Sequence, residues 1–470
     1  MNIFLDIGII IIVLDLYAVF RAISRGHGVE GTLAWILAIF AFPGFGALSY
    51  LLFANPGIKS TTRRKRLTAE TVRKAIMTRI GITAAGEPGS VLHLSSSLTG
   101  LLPTVGNSVD LLTENEQAFE QIEQVIEEAK HSIWAEYYLI SNDETGHHFL
   151  ELLAAQAGKG IEVRLLYDAV GSLRIDAERL SAIKTAGGKA ESFLPVNPLK
   201  KRWSVHLRNH RKIIIVDGQT GFTGGMNVGN EYSGQKWRKK PAARFRDTHL
   251  ALRGPAVSDL ARIFSEDWTF ATGEPLACPE PPVLSEHGTS VVSVVPSGPD
   301  QKYNASRLVY FTAITSARKH CYLSTPYFIP DEPTMQALIS AAARGVDVRI
   351  LVPEKSDVAI AGPATRSYYP RLVHAGVRIF EYRASMLHAK SLAVDGAWSV
   401  VGSANADIRS FRLNFELGVI VTDPMFTQRL EERFSQDFSL SREIRAGHLY
   451  QQGLAERLWQ GTCRLLSPLL

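Results

Sequence analysis

The sequence predicts an α/β protein built from two duplicated half-domains. Each half is a mixed sheet with covering helices, the two are related by a pseudo-twofold axis, and an N-terminal transmembrane hairpin precedes them. Three observations carry this reading. The phrase HRKIIIVDG at 210–218 recurs as HAKSLAVDG at 388–396. Strand-like and helix-like patterns alternate in the same order around each copy. Two long apolar runs open the chain.

The first run, Ile3 to Phe20, is interrupted by Asp6 and Asp15; the second, Gly31 to Phe53, carries no charge. About 20 apolar residues cross a bilayer core, so the second run qualifies on length. Asp15 weakens the first, because a carboxylate at depth costs roughly 2.5–3.5 kcal/mol. No basic residue precedes the first run, so a signal peptide fits poorly. Pro43 is expected to kink the second helix, with a re-entrant shape as the alternative. Residues 1–58 are thus expected to be a two-span anchor. After it, KSTTRRKR (59–66) concentrates five positive charges. The positive-inside rule then places both the N-terminus and the large domain on the cytoplasmic side. The basic run is expected to form a collar against an anionic membrane surface, with 59–106 as a connector.

From about 107 strands and helices alternate: 118–140 gives a helical period ending in a strand, and KGIEVRLLYD (159–168) closes a helix–turn–strand unit. The second half repeats this with RGVDVRILVP (344–353), and AGGKAESF (186–193) corresponds to AGVRIFEY (375–382). The expected boundaries are a first half at 107–270, a Pro-rich linker at 271–300 and a second half at 301–470. The stretch from Phe426 onward is read as a helical extension packed on the second half rather than lying on a membrane. Of the 470 residues, 46% are apolar and 21% charged, which excludes a disordered chain. The net charge of +5 is largely the local run at 59–66, so no protein-wide nucleic-acid footprint is expected. Cys278, Cys321 and Cys463 are too far apart for a disulfide framework or a zinc site.

Along a strand His210 and Lys212 share a face, as do His388 and Lys390. The repeat extends to Asp217 and Asp395, and then to GGMN ending at Asn227 and GSAN ending at Asn405. Pairing the halves about their axis brings the two signature strands face to face around one site. That site holds His210, His388, Lys212, Lys390, Asn227 and Asn405, with a further donor from Ser403. It has no carboxylate cage and no metal-ligand pattern, and it suits a phosphate. Two ammonium groups and two amides cradle the oxygens, one neutral imidazole attacks phosphorus, and the other, protonated, donates its proton to the leaving oxygen. Glu136, in the strand entering the cleft, stands where the second half has Thr325 and Pro326. This asymmetry fits either a donor–acceptor distinction or a structural hydrogen bond.

The two copies resemble the paired HKD motifs of the phospholipase D superfamily. RFRDTHLALRGPAV (244–257), VVPSGPD (294–300), TPYFIPDE (325–332), DIRSFRLNFE (407–416) and the anchor residues TLAW, Pro43, Gly46 and Tyr50 resemble bacterial cardiolipin synthases over nearly the whole chain. The resemblance implies phospholipase D-like half-domains and a metal-independent phosphatidyltransferase with no cofactor. Its substrate would be phosphatidylglycerol, its place the bacterial inner membrane with the catalytic domain on the cytoplasmic side, and no nucleic-acid partner is implied. It maps His210 onto the nucleophile, His388 onto the acid/base, and Lys212, Lys390, Asn227 and Asn405 onto phosphate binding. Glu416 maps onto the carboxylate that orients an imidazole, and Asp247 is the candidate for that duty in the first half. Asp217 and Asp395 belong to the signature's catalytic set, with fixing the active-site structure as their role. A hydrolase releasing phosphatidic acid or a nuclease could use the same residues, and a non-catalytic scaffold would be expected to lose a motif.

Overall fold

The computed structural model describes residues 3–24, 29–51, 58–76, 87–196, 204, 206–233, 244–279, 288–450 and 452–465. The chain divides into two compact units, Met1–Arg64 and Lys65–Leu470.

In the first unit, α1 (Ile3–Ser24) is continuous, whereas the second apolar run is broken into α2 (Val29–Ala41) and α3 (Phe45–Ser49). This reverses the expectation from sequence. The 22 residues of α1 reach about 33 Å at helical rise, enough for a hydrocarbon core of about 30 Å. The 13 residues of α2 reach only about 20 Å. Among the described residues α1 is the one helix long and apolar enough to cross a membrane. Pro43 and Gly44 make the break, Gly44 standing at φ 75°, a conformation open to glycine and costly for other residues. The freed Gly44 N–H donates to Asp15 Oδ1 at 2.9 Å. The residue that weakened the first run is therefore the acceptor that satisfies the break in the second. A Cβ at Gly46 would stand 2.4 Å from the Ala38 carbonyl oxygen, so close approach of α3 to α2 requires glycine there. Leu52 and Phe53, the end of the second run, lie outside the described residues.

After α4 (Ile58–Ile76) and α5 (Val91–Thr99), the first half runs β1 (Thr104–Leu112), α6 (Asn115–Glu127), β2 (Ser132–Tyr137), α7 (Glu144–Gly158), β3 (Glu162–Asp168), α8 (Ala177–Thr185) and β4 (Lys189–Phe193). It continues with β5 (Arg208–Asn209), β6 (Ile213–Val216), β7 (Thr220–Gly224), β8 (Phe245–Arg246), β9 (His249–Arg253) and α9 (Ala256–Thr272). The second half opens with β10 (Ser290–Ser297), α10 (Ala305–Ser316), β11 (His320–Ser324), β12 (Phe328–Ile329), α11 (Glu332–Ala343), β13 (Asp347–Pro353), α12 (Ala361–Arg366), α13 (Tyr369–His374) and β14 (Arg378–Tyr382). Then come β15 (Met386–Leu387), β16 (Ser391–Val394), β17 (Trp398–Gly402), β18 (Ala406–Asp407), α14 (Ile408–Arg412), β19 (Asn414–Thr422), α15 (Pro424–Ser439), β20 (Ser441–Ile444), α16 (Ala446–Tyr450) and α17 (Leu454–Leu465).

The strand order β20-β14-β13-β11-β16-β17-β19-β10-β1-β9-β7-β6-β2-β3-β4 reads nearly the same from either end. Its midpoint is the antiparallel pair of β1 with β10. The halves thus share one sheet instead of stacking two. Signature strands β6 and β16 do not face each other, as the sequence suggested, since six strands lie between them in that order. Both are central and fully buried, which is why their residues read as apolar. On one face of the first half Ile133 and Ile214 pack under α6 and α7 with Phe149 and Leu153. On the other, Trp134 stacks on Phe264 of α9 at 5.3 Å. In α17, Gln460 and Cys463 are buried while Leu454, Leu458, Trp459 and Leu465 remain exposed.

Candidate active site

The site is assembled by the segments leading into the signature strands. β5 pairs in parallel with β19 of the other half, and β15 pairs in parallel with β8. His210 N–H donates to the Phe415 carbonyl at 2.8 Å, and His388 N–H to the Arg246 carbonyl at 2.8 Å. Each motif histidine is therefore threaded into the opposite half before its own strand begins.

The side chains follow the same exchange. His210 Nδ1 lies 2.9 Å from Glu416 Oε2 and 3.1 Å from the Ser403 carbonyl oxygen. Both neighbours accept, so Nδ1 carries the proton and Nε2 carries the lone pair. Tyr138 packs edge-on against this ring at 5.0 Å. His388 Nδ1 lies 2.6 Å from Asp247 Oδ2, and its ring is flanked by Tyr232 and Phe245, each 5.3 Å away. Asp247 thus serves the histidine of the other half and not, as the sequence suggested, that of its own.

Register explains why the spacing of Asp247 and Glu416 differs although their places match. Gly224 pairs with His249, and Gly402 with Gly418. Asp247 and Glu416 each stand two residues before these partners. The extra chain before Asp247 falls in the connection between β7 and β8, part of which lies outside the described residues. Beside each carboxylate the repeat has Gly225 or Ser403. A Cβ at Gly225 would meet Asp247 Oδ1 at 2.1 Å, whereas Ser403 Oγ donates to Glu416 Oε2 and accepts from Leu417 N–H at 2.9 Å.

Lys212 and Lys390 are fully buried. Lys212 Nζ donates to the His210 carbonyl at 2.6 Å and faces the Tyr138 ring at 5.5 Å. Lys390 Nζ donates to the His388 carbonyl and lies 2.6 Å from His388 Nδ1 and 3.1 Å from its Nε2. Burial, aided by the positive charge of Lys390, holds Lys212 well below the usual lysine range. Burial brings Lys390 down to about 8 against the pull of Asp247. Burial also lowers His210 to about 4, opposed by Glu416, and lowers His388, with Lys390 adding to the effect. Glu416 and Asp247 remain below the ordinary carboxylate range, because their cationic and imidazole partners outweigh burial. Asn227 Nδ2 donates to Tyr232 OH at 2.9 Å. The Oδ1 atoms of Asn227 and Asn405 are both buried without a protein partner; as acceptors they suit a ligand hydroxyl, and only the amide N–H groups can face phosphate oxygens.

Asp217 and Asp395 stand apart from this cluster and are corrected from the catalytic set. Each lies beyond the far end of its strand, with about 16 Å of extended chain between Lys212 and Asp217. Each takes a positive φ, 53° and 55°, in an Asp-Gly hairpin turn. Asp217 accepts the N–H groups of Lys130, His131 and Ser132 at 2.7–2.9 Å. Asp395 accepts those of Arg318, Lys319 and His320 at 2.7–2.9 Å. They fasten the start of β2 and β11. Asp217→Ala is expected to lower stability by roughly 1–3 kcal/mol, read as a shift in denaturant midpoint, while the folded fraction still turns over.

One buried network was not legible in the sequence. Arg211 and Lys65 both pair with Asp267, and Asn209 donates to Glu136. Burial and the adjacent Asp267 charge raise Glu136 well above its ordinary value, and its contact with Asn209 is a structural bond. Lys65 is 1% exposed and is corrected from the membrane collar. Arg208 pairs with Asp168 at 3.2 Å, and Asp168 also accepts Asn209 N–H at 2.9 Å. These bonds fix the chain that delivers His210.

Residues 122–268 and 310–438 match the family described as cardiolipin synthase, PLD-like domain, and residues 13–55 match the phospholipase D-nuclease N-terminal family. A cardiolipin synthase of Geobacillus thermodenitrificans is 37% identical over 93% of this chain and 89% of its own length. Cardiolipin synthase A of Pseudomonas syringae is 34% identical over 94% and 93%. In fold, the phosphatidylserine synthase of Haemophilus influenzae superposes with a TM-score of 0.62 at 16% identity, covering 81% of this chain and all of that one. A repeated His-Lys site joined across two halves, with relatives of this identity along nearly the full length, places the chain in the cardiolipin synthase family of phospholipase D-like proteins.

Proposed function

We propose that the protein is a cardiolipin synthase that transfers a phosphatidyl group from one phosphatidylglycerol to another through a phosphohistidine on His210. The observation that carries this reading is the pair of imidazoles, each held at Nδ1 by a carboxylate from the opposite half. His210 is neutral and presents Nε2. In the first step Nε2 attacks phosphorus, the bond to the departing glycerol oxygen breaks, and His388 gives that oxygen a proton. In the second, the primary hydroxyl of another phosphatidylglycerol attacks phosphorus and the bond to Nε2 breaks. The hydroxyl proton passes to His388.

Charge supports the division of labour. With both lysines protonated, Lys212 and Lys390 offset Glu416 and Asp247, and the cluster is near neutral with both histidines neutral. A bound phosphodiester adds one negative charge, which favours one imidazolium. His388, beside Asp247, takes that proton, because His210 must keep its lone pair. Lys212, Lys390, Asn227 and Asn405 surround the phosphate oxygens. Both carboxylates are already committed to imidazoles and the lysines supply the positive charge, so metal-independent transfer is the expected chemistry. The basic residues after the anchor support attachment to the inner membrane through α1 with the catalytic unit on the cytoplasmic side.

Lys390 is charged below about 8 and loses its proton above it. The profile of kcat/KM against pH is therefore expected to fall through about 8 on the alkaline side, and Lys390→Met should leave a much lower, flat profile there. The functional reading itself is tested in phosphatidylglycerol vesicles with chelator present. Cardiolipin and free glycerol in equal amounts support it. Phosphatidic acid alone makes the protein a hydrolase, and activity lost to the chelator overturns metal independence.

A further inference from the structure

The duplication allows each position near the site to be compared with its twin. Ser132 begins β2 paired with Glu162, and His320 begins β11 paired with Asp347. Counting onward, Leu139 matches Tyr327 and Ser172 matches Asp357. The Ile140–Val228 bridge and the Phe328–Ala406 pair confirm this register, and they set Leu139 beside Asn227 and Tyr327 beside Asn405.

The twins differ in chemistry. Ser172 is buried, with its hydroxyl donating to the Tyr138 carbonyl at 3.0 Å and accepting Ile140 N–H at 3.0 Å. Leu139 offers no polar group. On the other side Tyr327 OH donates to the Asp357 carboxylate, 2.8 Å and 3.0 Å from its two oxygens. Asp357 is exposed. Thr325 Oγ1 donates to the Tyr327 carbonyl at 2.9 Å and accepts Ala406 N–H at 3.0 Å, tying this segment to the Asn405 loop. The Asp357 charge reaches His388, Lys390 and Tyr232.

We propose that Asp357 and Tyr327 form a subsite for a vicinal diol, the free end of a glycerol headgroup, on the His388 side of the reaction centre. The inference rests on the functional reading above and deepens it. The single phenol proton leaves most lone pairs of the carboxylate open, and two adjacent hydroxyls can donate to them. An ammonium headgroup would stand within reach of the Lys390 charge, whereas a diol carries no charge to oppose it. The placement also agrees with the chemistry, because the departing glycerol takes its proton from His388. The matching positions of the first half, Leu139 and a satisfied Ser172, offer no such contact among the described residues.

The test uses full-length protein in vesicles of phosphatidylglycerol with isotopically labelled acyl chains. Carbon-13 glycerol, 1-propanol and ethanolamine are added as competing acceptors at equal concentration. Mass spectrometry reads cardiolipin and the three exchange products. Wild type should favour glycerol over 1-propanol, and Asp357→Asn and Tyr327→Phe should reduce that ratio, by about tenfold for Asp357→Asn. A ratio is insensitive to how much variant folds. Wild-type cardiolipin formation with an unchanged ratio in Asp357→Asn overturns the inference alone, as does a wild-type preference for ethanolamine that Asp357→Asn abolishes. Wild type that forms no cardiolipin overturns the functional reading and the inference with it.

Discussion

His210→Ala is expected to reduce phosphatidyl transfer by roughly 10⁴-fold or more and to abolish any covalent intermediate, since loss of a nucleophile removes the pathway and not merely an interaction. The reason is specific to this ring. Two acceptors, Glu416 and the Ser403 carbonyl, fix the proton on Nδ1, and burial keeps the imidazole neutral down to about pH 4. His388 is also held at Nδ1 by a carboxylate, but Lys390 Nζ lies 3.1 Å from its Nε2, whereas Lys212 Nζ is turned to the His210 carbonyl. The measurement is cardiolipin formed per folded enzyme in vesicles, with circular dichroism to confirm folding. Activity within tenfold of wild type would place the nucleophile elsewhere.

His388→Ala should lower transfer from phosphatidylglycerol by about 10²–10⁴-fold, the usual range for a general acid, yet leave the first step open to a donor that needs no acid. A phosphodiester carrying p-nitrophenol has such a leaving group. With it, the His388→Ala protein should release a burst of nitrophenol equal to the enzyme present and then stall as the phosphohistidine, because no base remains to activate the acceptor. His210→Ala should give no burst. Equal bursts from both variants would contradict separate roles.

How much of this was legible in the sequence depended on whether a feature is local. The signature spacing is set by the extended chain that leads into each strand, so His210, Lys212, His388 and Lys390 could be named from their letters. The strand–helix order of each half was legible for the same reason. The exchange of Asp247 and Glu416 between halves was not, because it depends on β8 and β19 receiving segments from the opposite half. Only the register with Gly224 and Gly402 shows these two carboxylates to be twins. Lys65 misled because a run of basic residues reads as a solvated face, and its burial against Asp267 is set by residues about two hundred positions away. In the anchor, length favoured the second apolar run over the first. Pro43 and Gly44 override length, and Asp15, which looked like a defect, proves to be their partner.

The central claim is that one phosphatidyl group resides on His210 during turnover. Rapid mixing of the protein with phosphatidylglycerol, alkaline quench and peptide mass spectrometry would test it most directly. A phosphatidyl adduct on the peptide containing His210, appearing before cardiolipin and absent from His210→Ala, is the predicted result. An adduct on His388, or wild-type turnover without any adduct, would contradict the account.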